Sequence, residues 1–436
     1  MSEAELAASQ AWTSTSVGSL GTWSGGLTPS KNYTRFWKDG DVVWLSPKDV
    51  RGSSLVGSED RITSEALQRT ALKLYPRNSV LIVVRSGILR HRFPIARCSV
   101  DFTVNQDLKV LTPVSGIDSS FCFYALQNIE GLVLRKAVKA GTTVESVDLV
   151  SLTRIPIAIP PLPTQRRIAA VLRTVDEVIE ATEARIEKQK AIKQGLLHDL
   201  FTRGVTPDGQ LRPPPSERPD LYRESELGVI PREWEVSLLD NLTTRGSGHT
   251  PSRSRPEYWG GGIKWVSLAD SWRLDRLYIS ETDKEISELG VANSSAVLHP
   301  PGIVVLSRDA GVGKSAITTI PMAVSQHFMC WICGSKLDRY YLYYLLQKQK
   351  REFENIATGT TIPTIGLRFF QRYKIAAPTG IEEQKTIGET LRTLDVRLFE
   401  LEAKLEKLRH LKSALMQDLL TGRVSADSID LDSLPA

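Results

Sequence analysis

A chain of 436 residues has room for about two or three domains with cores of their own, and 41% hydrophobic with 24% charged residues is the balance of an ordinary globular protein. A net charge of +5 and a pI near 8.9 fit an anionic partner. The acidic, polar opening MSEAELAASQ is unlike a signal peptide, no apolar run approaches a membrane span and four cysteines make no disulfide framework, so a cytoplasmic protein away from membranes is expected.

Residues 1–160 read as a first globular unit of α+β type. Runs of β-branched and aromatic residues between Gly, Pro, Asn and Asp predict strands at Asp41–Leu45, Val80–Arg85, Phe102–Val104, Lys109–Leu111 and Arg154–Ile159. Helices are expected at Ser64–Leu72, capped by Ser64, and at Phe121–Asn128. Residues 161–205 then carry an apolar seam at steps of three and four: Leu172, Val175, Ile179, Thr182, Ile186, Gln189, Ile192, Leu196 and Leu200. Such a stripe predicts one helix of about 40 residues, roughly 60 Å long, with a coiled-coil face. A connector, 206–226, follows. The Pro-rich stretch Gly204–Pro219 around its start predicts extended chain with little fixed structure.

The second half repeats the first. Residues 379–424 carry a purer seam, Leu391, Leu394, Leu398, Leu401, Leu405, Leu408, Leu411, Leu415 and Leu419, and a short tail, 425–436, ends the chain. Over the two long helices 16 of 41 aligned positions are identical without a gap, at an offset of 219 (Asp395 − Asp176). Between them, 227–378 repeats the first globular unit. Trp12 aligns with Trp234, Thr28-Pro29-Ser30 with Thr250-Pro251-Ser252 and Trp37 with Trp259, at an offset of 222 (234 − 12). Gln106 aligns with Gln326, and Gly141-Thr142-Thr143 with Gly359-Thr360-Thr361, the offset drifting as small loop insertions require.

This pattern resembles the specificity subunit of a type I restriction–modification system over nearly the whole chain. The marks are LGVIPREWEV (Leu227–Val236), Gly26–Ser30 (GLTPS) with Gly248–Ser252 (GHTPS), and Pro-rich approaches to helices that begin near Gln165 and Gln384. The first unit departs from the pattern in carrying Trp12 without the Ile-Pro that opens the second. The expected fold is α+β, with two repeated α/β target-recognition domains alternating with two long helices. These helices form an antiparallel coiled coil with pseudo-twofold symmetry and set the gap between two half-sites. The resemblance implies double-stranded DNA as ligand and no catalysis in this chain. It also implies two modification subunits that carry S-adenosylmethionine, and restriction subunits that use ATP and Mg. No cofactor or metal is expected on this chain itself. A two-lobed scaffold that binds only proteins, and an enzyme with an unrecognised site, remain as alternatives.

Two motifs point elsewhere only superficially. Gly311–Ser315 (GVGKS) looks like the end of a phosphate-binding loop, but its first glycine would fall at Arg308. Cys330-Trp331-Ile332-Cys333 has metal-ligand spacing without a second pair, and reads as a buried strand whose counterpart is Val110–Pro113.

The repeat separates scaffold from reader. If the units read different half-sites, what they share is framework or phosphate contact, and what differs reads bases. Thr28, Ser30, Thr250 and Ser252 are shared turn residues and candidate DNA contacts, through hydroxyls and backbone amides on phosphate, with a Pro-pinned turn whose hydroxyl is satisfied internally as the alternative. Gln106 and Gln326 are shared too and are expected to be framework. The divergent stretches mix cations with aromatic or hydroxyl residues. They are Lys31–Lys38 with Lys31, Arg35 and Lys38 against Arg253–Trp259 with Arg253, Arg255 and Tyr258. Lys48 and Arg51 stand against Arg273 and Arg276, and Arg85, Arg90 and Arg92 against Arg308 and Lys314. Arginine grips guanine bidentately, while lysine and serine mostly hold phosphate, so these positions are the expected DNA contacts.

Overall fold

The strands form where short hydrophobic runs meet turn residues, and the same set forms twice. The computed structural model describes residues 12–141, 144–359, 363–426 and 429, so the threonines of the shared Gly-Thr-Thr stretches and most of the tail lie outside the described residues. The chain divides into two compact units: Met1–Glu183 with Lys404–Ala436, and Ala184–Ala403. The unit boundaries therefore fall inside the long helices, not at their ends, because each helix buries part of its length in either unit.

Unit 1 holds a five-stranded sheet in the spatial order Gly21–Gly25, Leu108–Pro113, Val80–Val83, Ile95–Cys98, Ser54–Leu55. A second sheet runs Arg61–Ile62, Val42–Leu45, Phe102–Val104, its last pair parallel with Val43 opposite Phe102. Every residue of Val80–Val83 is buried, which is why this central strand is a continuous apolar run. Thr13–Ser16 and Pro156–Ile159 pair antiparallel and close the domain on itself. Unit 2 has the corresponding five strands Thr243–Ser247, Phe328–Cys333, Val304–Ser307, Ser315–Thr318 and Tyr278–Ile279. Its second sheet gains an edge strand, Leu298–His299, and Trp234–Leu238 closes the domain against Lys374–Pro378. The expected strands thus form, with shifted ends. Thr63 caps the helix Ser64–Arg69 instead of Ser64, whose hydroxyl is taken by Asp41 at 2.7 Å.

The long helices span Leu162–Arg203 and Ile381–Leu419. Within each unit their segments run antiparallel: Asp176 meets Lys412 at 2.7 Å and Glu183 meets Arg409 at 2.7 Å in unit 1, and Lys190 approaches Glu402 (3.9 Å) while Lys193 meets Asp395 (2.5 Å) in unit 2. Two sockets repeated in both units tie helix to domain. Buried Gln165 accepts from the Asp118 amide and donates to the Pro160 and Gly116 carbonyls, and Gln384 makes the same bonds to Asp338, Pro378 and Lys336. Tyr124 donates to Asp176 at 3.0 Å under the Lys412 ammonium, and Tyr344 donates to Asp395 at 2.7 Å under Lys193. Burial and the neighbouring carboxylates push both phenols far above their usual pKa, so they stay protonated donors.

Leu172, Ile179, Ile186, Leu391, Leu394, Leu398 and Leu405 on the seam are buried, and Val175, Leu196, Leu401 and Leu408 are half-buried. Thr182 is buried too, its hydroxyl satisfied by the Val178 carbonyl. Ile192 is a correction. It is 42% exposed, as is its counterpart Leu411 at 49%. A 3.6-residue helix drifts by about 20° per heptad against a 3.5-residue seam, and by this point Lys193, Leu197 and Phe201 have turned inward.

The Pro-rich connector is also more fixed than composition suggests. Gly204 ends the first long helix in the left-handed region (φ 64°), and Thr206 bonds Gln210 across a tight turn. Arg212 is then buried at 5% exposure and donates to Glu383 and Glu233, while Trp234 and the Val205 amide also donate to Glu383. A buried guanidinium must find acceptors, and this one pins the connector.

Candidate nucleic-acid interface

The Thr-Pro-Ser turns are built alike. Trp44 and Trp265 each donate an indole N–H to the residue before the turn (Leu27, 3.0 Å; His249, 3.1 Å), and Trp37 and Trp259 donate to the carbonyls of Ser30 and Ser252. The paired indoles meet edge-on at 5.0 and 5.2 Å. At Gly26 and Gly248 a Cβ would fall 1.7 and 1.6 Å from the carbonyl oxygens of Val104 and Val324, so glycine alone admits this approach. Thr28 donates to the Gln106 side-chain oxygen at 2.9 Å, and Thr250 to that of Gln326 at 2.6 Å. The amide oxygen that adenine recognition needs thus accepts a threonine hydroxyl, an arrangement that fits a framework role for both glutamines.

In unit 1 many of the candidate cations are held by acids. Lys48 contacts Asp60 and Glu59, which raise its pKa, and Arg51 contacts Glu59 at 2.6 Å. Arg92 donates to the carbonyls of Val50 and Arg51, bringing these three cations into one patch. Arg90 lies with Glu145 at 2.5 Å and holds that carboxyl below its usual range. Arg35 leans on Glu65 (3.5 Å) and over Tyr33, and Lys31 sits over Trp37. Lys38 and Arg85 are exposed.

Unit 2 uses the same places differently. Arg253 and Arg255 are exposed, Arg255 near Glu257, whereas Tyr258 is half-buried and its carbonyl accepts from Ser287. GVGKS is a turn leading into the strand Ser315–Thr318, not into the helix that a phosphate-binding loop requires. Cys330 and Cys333 likewise lie on the strand Phe328–Cys333. Arg308 is mostly covered, its side chain 17% exposed and its Nε 3.5 Å from buried Asp309. Lys314 donates to the Ser271 carbonyl, tying this turn to the loop that carries Arg273 and Arg276. Sequence reasoning missed His327, whose Nδ1 lies 2.6 Å from Asp309 beside Gln326. The signal was available: the residue after the shared glutamine is Asp107 in one unit and His327 in the other. Around the Thr-Pro-Ser turn of unit 2 opens a cleft of about 510 Å³, lined by Arg253, Ala269, Lys284, Gln326 and His327 among others.

The family model described as type I restriction modification DNA specificity domain matches the chain twice, at residues 10–190 and 231–409. The chain belongs to this family. The EcoR124I/EcoR124II specificity subunit of Escherichia coli is 36% identical over 178 residues, 41% of this chain and 44% of that protein. The chain thus aligns with less than half of that relative's length. The MjaIX specificity subunit of Methanocaldococcus jannaschii is 22% identical over 425 residues, covering 96% of this chain and 94% of the relative. The crystal structure of the type I system S subunit from M. genitalium shares the fold at TM-score 0.62 and 15% identity, over 94% of this chain and 96% of that one.

The family's two matched regions each enclose one globular domain, and the second begins just before the Trp234 strand. Among the described residues no group of three or more His, Cys, Asp or Glu is placed to hold a metal, and no helix is long and apolar enough to cross a membrane. In each unit cations and hydroxyls lie on tight, glycine-framed turns, an arrangement suited to binding a polyanion.

Proposed function

We propose that this chain is the non-catalytic, DNA-reading subunit of a type I restriction–modification complex in the cytoplasm. Unit 1 reads one half of a bipartite duplex target and unit 2 the other. Two modification subunits bind the long helices and supply S-adenosylmethionine, and restriction subunits supply the ATP- and Mg-dependent steps. One observation carries the reading: two family-matched regions keep an identical turn framework, Thr28–Gln106 and Thr250–Gln326, while the cations around it differ. Shared phosphate-level scaffolding with divergent loops is what two readers of different sequences require.

The test is to exchange residues 12–160 for the corresponding domain of a relative and sequence the methylome of a host expressing the full system. One half of the methylated motif should change and the other stay. Simultaneous change of both halves would overturn the assignment of one half-site per unit. Binding of the assembled complex to duplex DNA should also fall steeply with salt, in proportion to phosphates contacted, which a purely protein-binding scaffold has no reason to show.

A further inference from the structure

The loop joining Asp270 to the strand Tyr278–Ile279 lifts an indole into solvent. Trp272 is 58% exposed, the one exposed tryptophan among the described residues. Arg273 and Arg276 flank it, with guanidinium carbons 4.3 and 5.8 Å from the ring centroid. The loop beneath is anchored, not loose. Leu274 and Leu277 are buried, and Asp275 and Leu277 both adopt left-handed backbone (φ 63° and 66°), a conformation that leucine rarely accepts. Asp275 is held there by Lys350, Gln347 and the Ser315 amide, and the Leu277 amide by the Tyr343 hydroxyl. Strain of this kind persists only where surroundings enforce it, and here it serves to hold one ring out at a fixed place.

We propose that Trp272 is a specificity-determining wedge: its indole inserts between stacked base pairs in the half-site read by unit 2, and Arg273 and Arg276 take the adjoining phosphates. This rests on the DNA-reading function proposed above. A protein partner fits less well. A surface common to both repeats is the place for subunits that serve both, and unit 1 has no counterpart: it runs Val50-Arg51-Gly52-Ser53 between Asp49 and Ser54, with no aromatic ring. Two guanidiniums beside an apolar plate match a polyanion with stacked bases inside it. Insertion unstacks a step and kinks the duplex, so the wedge favours sequences in which a flexible pyrimidine–purine step lies beneath it. Unit 2 would then discriminate partly by deformability, without a hydrogen bond at that step.

The experiment uses the full chain assembled with its modification subunits, and a duplex carrying the motif that the system methylates. Trp272→Ala should weaken binding about ten- to a hundredfold while Trp272→Phe keeps most of it. One mismatched pair, moved stepwise across the half-site, should tighten wild-type binding at a single position, where stacking no longer has to be broken, and should leave Trp272→Ala indifferent. If wild type binds and Trp272→Ala binds equally, or if no mismatch position matters, the wedge is overturned and the DNA-reading function stands. Loss of modification subunits from Trp272→Ala would make the indole a protein contact and overturn it equally. A wild-type complex that binds no duplex would overturn the function itself.

Discussion

One position in the fold is occupied by Tyr75 in unit 1 and His299 in unit 2. Each pairs with the strand behind it, Tyr75 with Phe102 and His299 with Met322. Each also bonds an equivalent carbonyl: the Tyr75 hydroxyl donates to Gly25 at 2.9 Å, and His299 Nε2 lies 3.3 Å from the Ser247 oxygen. The contact is kept while the chemistry changes. Elsewhere the two units differ in the opposite way, since Gln165 and Gln384, or Asp176 and Asp395, keep both contact and chemistry. The Tyr75/His299 packing position keeps its contact alone, whereas these two positions, which join a domain to its helix, keep both.

The sharpest way to press that contrast is to break the helix sockets. Asp395→Ala leaves Lys193 without its counter-charge and Tyr344 without its acceptor inside unit 2, and should cost about 3–5 kcal/mol. Asp176→Ala should cost less, because its carboxylate is 16% exposed against 7% for Asp395, so water already screens more of its charge in the intact pair. Hydrogen exchange in the helices Arg339–Lys348 and Ser119–Asn128 reads the two effects separately. Equal losses would mean that exposure does not set the difference.

The Tyr75/His299 exchange has a smaller, pH-dependent signature. Burial holds the His299 pKa below its ordinary 6.5, so at pH values under 6.5 the unfolded chain binds a proton that the folded unit excludes. The stability contributed by neutral His299 is therefore full above pH 6.5 and declines as pH falls through the folded pKa, by up to about 1.4 kcal/mol per pH unit. Unit 2 should show this slope below pH 6.5, and His299→Gln should flatten it. An unchanged slope in the variant would assign the acid sensitivity to another group.

The smallest effect is expected at the shared glutamines. Gln326→Ala and Gln106→Ala each remove an exposed acceptor for a threonine hydroxyl. Each should shift stability by less than about 1 kcal/mol and leave the methylated motif unchanged. A changed motif would move these residues from framework to base contact.

Much of this was legible in the sequence, and where it was not the reasons are physical. The repeat, the alternating architecture and the central strands follow from periodicity, which packing obeys closely at positions such as Val80–Val83 and Leu391. Ile192 was misjudged because a fixed seven-residue seam ignores helical drift, and the Pro-rich connector because composition cannot reveal that Arg212 finds Glu383, 171 residues later. Among the cations, the sequence shows where charge lies but not who neutralises it. Lys48, Arg51 and Arg90 are spoken for by acids that are distant or unremarkable in the chain. Trp272 stood in plain view within a divergent stretch, yet only its exposure and its anchored backbone distinguish it from the buried indoles.

The two glutamine sockets carry a consequence for heredity. Gln165 and Gln384 present the same amide to the same three kinds of backbone partner, so either domain arrives at its helix through an identical fitting. A gene segment encoding one domain, recombined into a related gene with its junction at the start of the helix, would bring a new reading surface and find its attachment already made. Lineages carrying such a fitting can acquire a new address in one genetic event, where point mutation would have to rebuild loop and foundation together.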